Sequence, residues 1–206
     1  MPGRKEHWEH VYQSKSPVDV SWYQGNPALS LRLISKADLA HDAAIIDVGG
    51  GASILVDNLL EAGYMDISVL DVSANALAHV KQRLAERAGE VRWIEEDVSR
   101  FKPSRQYDVW HDRAVFHFLT DKKDRVLYVS NLKKGLKQGG QLIIMAFATD
   151  GPVKCSGLEI VQYDSGKLMA ELGSSFELLE EGYELHITPT GNQQKFAYFR
   201  LIRIAE

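Results

Sequence analysis

Three consecutive glycines and three carboxylates are the residues of this chain best suited to hold a ligand. In "IIDVGGGASILVDNLL", residues 45–60, Asp47 precedes Gly49, Gly50 and Gly51 between two apolar runs. A strand that ends in glycine and opens a helix lets a ligand reach the backbone, because glycine has no Cβ and tolerates positive φ. A dinucleotide site asks for G-x-G-x-x-G. Gly49 and Gly51 meet its first two positions, but the third falls on Ile54, and no G-x-x-x-x-G-K-[ST] occurs elsewhere. The turn therefore favours close approach over phosphate binding. Asp71 lies about 20 residues on, where an acid at a strand end accepts both hydroxyls of a ribose. Asp97 follows in "IEEDV". Three carboxylates around one crevice repel a pyrophosphate and attract a ligand that carries a sulfonium and an ammonium.

A second group sits in "YDVWHDRAVFHF". His111 and Asp112 could orient or deprotonate an acceptor, and Arg113 could pair with an acidic substrate or with Asp112. His117, between Phe116 and Phe118, suits a packed histidine better than a base. Near the N-terminus Trp8, Tyr12, Trp22 and Tyr23 are interrupted by "SKSPVD". Trp22 and Tyr23 are candidates for a lid that excludes water, with Trp8 facing the core. The lone Cys155 can form neither an internal disulfide nor a cysteine metal cluster, and nothing beside it suggests activation; no metal site is expected.

The elements that must position these residues alternate. "AIIDV", "DISVLDV", "EVRWIEED", "YDVWHD" and "QLIIMAFA" read as strands, and the longer periodic runs between them as helices. That alternation predicts a parallel sheet with crossover helices. Ser73 opens the second of these helices, and Thr120 caps the next, whose apolar face is Val126, Val129, Leu132 and Leu136. Ahead of the first strand come two helices, in "KEHWEHVYQSK" and after the cap Asn26 with Pro27 at the first helical position. The tail holds a short helix in "SGKLMAELG" and two strands joined by "PTGNQQ", an antiparallel hairpin.

The 206 residues fit one domain, residues 1–206, with residues 1–40 as a helical cover segment. A net charge of −4 with scattered basic residues argues against nucleic acid. No run reaches the roughly 20 apolar residues of a membrane span, and "MPGRKEHWEH" lacks the apolar middle of a signal peptide, so a cytoplasmic protein is expected.

"IIDVGGGAS", "LDVS", "EEDV" and "YDVWHDRAVFHFL" resemble motifs I to IV of the class I S-adenosylmethionine-dependent methyltransferases, in order and spacing, from about Asp47 to Phe147. The resemblance implies a Rossmann-like α/β fold of seven strands, with helices on both faces of the parallel sheet and a C-terminal antiparallel β-hairpin. It implies S-adenosyl-L-methionine as cofactor: Gly49, Gly50 and Gly51 lining it, Asp71 with Val72 beside it on the ribose, Asp97 facing the adenine amino group with Val98 donating from its backbone, and Asp47 orienting the methionine amino end. One departure is Ser53, where the family often has glycine. The family's [DNS]-P-P-[YFW] tetrapeptide for planar amides and adenine is replaced by "HDRA". "WHDRA" is instead similar to the "WDRG" loop of the thiopurine methyltransferases, and a comparable loop occurs in small methyltransferases that modify protein lysines. A small thiol, selenol or similar acceptor is expected ahead of a protein lysine, with His111 and Asp112 as catalytic candidates and Trp22, Tyr23, Arg113 and His117 as substrate or lid residues. A non-catalytic cofactor-binding module is the third reading.

Overall fold

The computed structural model describes residues 3–205. Its elements are α1 (Arg4–Ser14), α2 (Ala28–Ser35), β1 (Ala44–Val48), α3 (Leu55–Glu61), β2 (Asp66–Asp71), α4 (Ala74–Leu84), β3 (Val91–Glu95), β4 (Tyr107–Arg113), α5 (Lys122–Gly135), β5 (Leu136–Phe147), β6 (Lys154–Cys155), β7 (Leu158–Glu159), α6 (Ser165–Leu172), β8 (Phe176–Ile187) and β9 (Gln193–Arg203). Seven strands form one sheet in the order β3-β2-β1-β4-β5-β9-β8. The first five are parallel; β9 runs antiparallel against β5, and β8 against β9. The order reverses between β1 and β4, so a crevice opens beyond the carboxyl ends of those strands.

Each face of the sheet carries its own core. Trp110, Phe116, Tyr128 and Leu132 pack with α5 and α6 on one side, and Leu33, Leu55, Leu59 and Val80 pack with α2, α3 and α4 on the other. Along β4, side chains alternate between the two, with Val109 on the α2 face and Trp110 on the α5 face. This alternation decides which side each residue of "HDR" serves.

Some boundaries differ from the sequence expectation. Asp121, not Thr120, caps α5 by accepting from the Lys123 N–H, and Val126 is 57% exposed because the buried face runs through Tyr128, Val129 and Leu132. Leu136 belongs to β5, which starts before "QLIIMAFA". Helix α2 starts at Ala28, one residue late, with Pro27 rather than Asn26 at the cap and its carbonyl taking the Leu31 N–H. The loop after β5 contains the two-stranded β6–β7 hairpin. Among the described residues no helix is long and apolar enough to cross a membrane.

Candidate active site

The glycine turn folds back onto the end of β2. The N–H groups of Gly49 and Gly50 both point to the Leu70 carbonyl, at 2.6 and 3.3 Å. Gly49 and Gly51 have φ of +67° and +47°, and a Cβ on Gly49 would lie 1.9 Å from Val115. A Cβ on Gly50 would lie 2.7 Å from both Asp47 Oδ2 and Val69. Packing thus demands glycine here as strictly as any ligand does.

Two cavities meet at this turn, sharing Tyr12, Trp22, Gly49 and Arg113. The larger, about 700 Å³, runs over Gly49, Leu70, Asp71 and Val72 to Glu96, Asp97 and Val98. Its roof is Arg4, Trp8, Tyr12 and Trp22. Trp8, expected in the core, stands in this roof with its ring 5.5 Å from Trp22 and 5.0 Å from Phe118. The smaller cavity, about 540 Å³, is bordered by Asp47, Gly50, Ser30, His111 and Tyr23. The three carboxylates expected around one crevice are therefore divided: Asp71 and Asp97 line the first cavity and Asp47 the second.

Asp71 is 8% exposed. One of its oxygens accepts from the Ser73 N–H at 2.8 Å, and the Gly51 N–H also donates to this carboxylate. Burial outweighs these donors and, helped by the charges of Asp47 and Glu9, pushes the carboxyl up to about 7. A cis-diol brought into the cavity would supply the donors that such a carboxylate lacks, so the site fits the ribose of an adenosyl ligand. Asp97 is differently placed. Arg4 holds both of its oxygens, at 2.8 and 2.7 Å, and Ser99 donates from backbone and hydroxyl. Burial raises this carboxyl, but the Ser99 and Arg4 bonds outweigh it and hold the group below its usual range. Its charge is matched from the protein side, at the cavity wall.

The roof is fastened by side chains that no local pattern announced. Arg4 also reaches Asp124 at 2.6 Å. Glu9 accepts from Ala74 and Asn75 N–H at the start of α4, at 2.7 and 3.2 Å, which suits a carboxylate at a helix N-terminus. His7 lies 3.3 Å from Ser156 in the β6–β7 turn.

The "HDR" residues separate. His111 bonds Asp47 through Nδ1 at 2.7 Å and Ser30 through Nε2 at 2.9 Å, at the smaller cavity. Asp112, expected beside it as a catalytic group, faces the opposite core: it accepts from Val115 and Phe116 N–H and from the Tyr128 hydroxyl, and lines neither cavity. Adjacent residues of a strand point to opposite faces, so both could not serve one acceptor. His117, carried as a substrate or lid candidate, is fully buried among Phe118, Phe147 and Phe196, and lines neither cavity. Burial, with the nearby Arg113 charge, pushes it down to about 3, so it is a neutral packed ring. Arg113 pairs not with Asp112 but with the Trp22 carbonyl, at 3.0 Å, and faces Glu184 at 3.8 Å. Its Nε and Nη2 are buried without a hydrogen-bond partner. Tyr23 borders only the smaller cavity, whereas Trp22 borders both. Cys155, in β6, lines the larger cavity beside Arg113, its thiol pushed up to about 12 by burial.

The open α/β sheet in this strand order thus brings a glycine turn after β1 and the acid closing β2 to one cavity. Residues 46–142 match the methyltransferase domain family. The chain is 24% identical over 153 residues to eEF1A lysine and N-terminal methyltransferase of Bos taurus, covering 71% of this chain and 22% of the relative. It is 26% identical over 107 residues to malonyl-[acyl-carrier protein] O-methyltransferase 2 of Ilyobacter polytropus, covering 52% and 40%. The chain thus spans well under half the length of these curated relatives. The solved structure of the N-methyltransferase NodS of Bradyrhizobium japonicum with S-adenosyl-L-homocysteine has the same fold, with a TM-score of 0.71, 15% identity and 96% and 98% of the two chains covered. The matched domain and the shared fold support a class I S-adenosylmethionine-dependent methyltransferase with S-adenosylmethionine as cofactor.

Proposed function

We propose that this domain, with residues 1–40 forming its cover, methylates a small acceptor carrying an anionic or easily ionised nucleophile, a thiol or selenol foremost. The bound cofactor supplies an electrophilic methyl on a sulfonium. Methyl transfer is an in-line displacement, and most of the catalysis comes from holding the nucleophile in place. The observation that carries the acceptor class is Arg113: a buried guanidinium whose Nε and Nη2 make no hydrogen bond, Nη2 only facing Glu184 at 3.8 Å, and which borders both cavities beside Trp22, Ala114 and Cys155. None of these neighbours is a base at neutral pH, since the Cys155 thiol keeps its proton. Asp112 is turned away and His111 is engaged on both nitrogens. An acceptor must then arrive as an anion or ionise readily, and Arg113 favours the anion. The roof of Trp8, Tyr12 and Trp22 sets the size, because α1 is tied over the cavity by Arg4 to Asp97 at its start and by the Tyr12 carbonyl to His79 near its end, which keeps out a lysine on a folded protein.

The curated relatives named for eEF1A lysines favour a second reading, a protein lysine acceptor. Such an amine arrives protonated and needs a base that this wall does not offer. Formation of S-adenosylhomocysteine, followed with small thiols, selenols, carboxylic acids and lysine-bearing proteins, separates the readings. Turnover is expected with a small thiol or selenol, with KM raised about tenfold in Arg113→Gln, the loss of one charge-assisted bond. Turnover on lysine-bearing protein alone overturns the acceptor class. Tight cofactor binding without turnover on any acceptor makes the protein a cofactor-binding module.

A further inference from the structure

Ser30, His111 and Asp47 form a hydrogen-bonded chain across three elements. Asp47 and His111 are direct register partners on β1 and β4, and Ser30 reaches them from the first turn of α2. All three are buried at the smaller cavity, Ser30 only 1% exposed. Nδ1 of His111 lies 2.7 Å from Asp47 Oδ1 and Nε2 lies 2.9 Å from the Ser30 hydroxyl, so the ring bridges the two side chains. Oδ2 of Asp47 is the atom pressed against the glycine turn, where Gly50 leaves room for nothing larger than hydrogen.

The connectivity is that of a hydrolase's nucleophile, base and acid, but the turn beside it offers no oxyanion donors: the Gly49 and Gly50 N–H groups both go to Leu70. Its chemistry is orientation. We infer that Ser30 and His111 are positioning residues that hold Asp47 so that its second oxygen meets the ammonium of the cofactor's amino-acid end. Asp47 is the one carboxylate among the described residues lining this cavity. A carboxylate free to turn about its Cα–Cβ–Cγ bonds would lose that alignment, and the chain removes the freedom. The inference rests on the cofactor assignment and is independent of the acceptor.

The test is calorimetric binding of S-adenosylhomocysteine, which keeps the amino-acid end, and of 5′-methylthioadenosine, which lacks it. Ser30→Ala is expected to weaken the first about tenfold and His111→Leu at least as much, with the second unchanged in both. His111→Asn, whose amide can still donate to Asp47, is expected to recover most of the loss. Equal weakening of both ligands, or no change in either, overturns the positioning role. A wild-type protein that binds neither ligand overturns the cofactor assignment itself, and with it this inference.

Discussion

The carboxyl ends of β2 and β4 carry two aspartates that look alike by any single measure. Asp71 is 8% exposed and Asp112 fully buried. Burial is the main cause that lifts the first to about 7 and the second to about 6. The difference lies in their donors. Asp112 is saturated by Val115, Phe116 and Tyr128 at 3.0, 3.2 and 2.7 Å, and Tyr128 in turn accepts from Trp110. Asp71 has only backbone donors, from Ser73 and Gly51, and borders the larger cavity. A raised carboxyl therefore does not by itself mark a ligand site. Acceptor capacity left unfilled at a cavity wall does.

The contrast is broken or sharpened most strongly at Asp112. Asp112→Ala strands three buried donors and is expected to cost about 4 kcal/mol of stability. That lowers the thermal midpoint by roughly 10 °C in a domain of this size. Cofactor affinity of the folded fraction should remain, and a parallel loss of affinity would place Asp112 in the site after all. Asp112→Asn keeps one acceptor oxygen and should be milder.

Asp71→Ala is the mirror case. S-adenosylhomocysteine binding is expected to weaken about a hundredfold, the loss of two hydroxyl bonds to a charged acceptor, with little change in the thermal midpoint. Calorimetry and a melt on the same sample check both halves.

The pH dependence follows from the same two groups. Each stands above the ordinary value of 3.8 in the folded chain, so the native state holds protons that the unfolded chain has released. Their contribution to stability is full below about 4 and is lost as pH rises through about 6 for Asp112 and about 7 for Asp71. A ribose donates to the ionised form of Asp71, so cofactor affinity should fall about tenfold from pH 8 to pH 6. Asp71→Asn should flatten that profile, and an unchanged slope would assign it to another group.

The smallest effect is expected at Arg4. Its partly exposed pair with Asp97 is worth at most about 1 kcal/mol, so Arg4→Ala should weaken cofactor binding only a few-fold.

Much of this was legible along the chain because it is local. β1 and the Ser73 cap fall where the apolar period and the cap chemistry place them. Gly49, Gly51 and Asp71 could be read because a tight turn and a strand end declare themselves within a few residues. "HDR" was half legible: the period of two already separates His111 and Arg113 from Asp112, but not which side faces the crevice. The core decides that, by putting Trp110 and Asp112 against α5. Trp8 was ambiguous for a similar reason, since helical spacing shows that a face is apolar and not what it covers.

The sequence by itself determined the order of elements, the glycine turn and the acid that closes β2. Tertiary structure alone decided that Asp47 belongs to a different cavity from Asp71, that Arg4 neutralises Asp97 across 93 positions and that Ser30 reaches His111 across 81. Helix, strand and turn rules act over a few residues. A hydrogen bond between distant side chains leaves no trace in either neighbourhood until the sheet brings the two together.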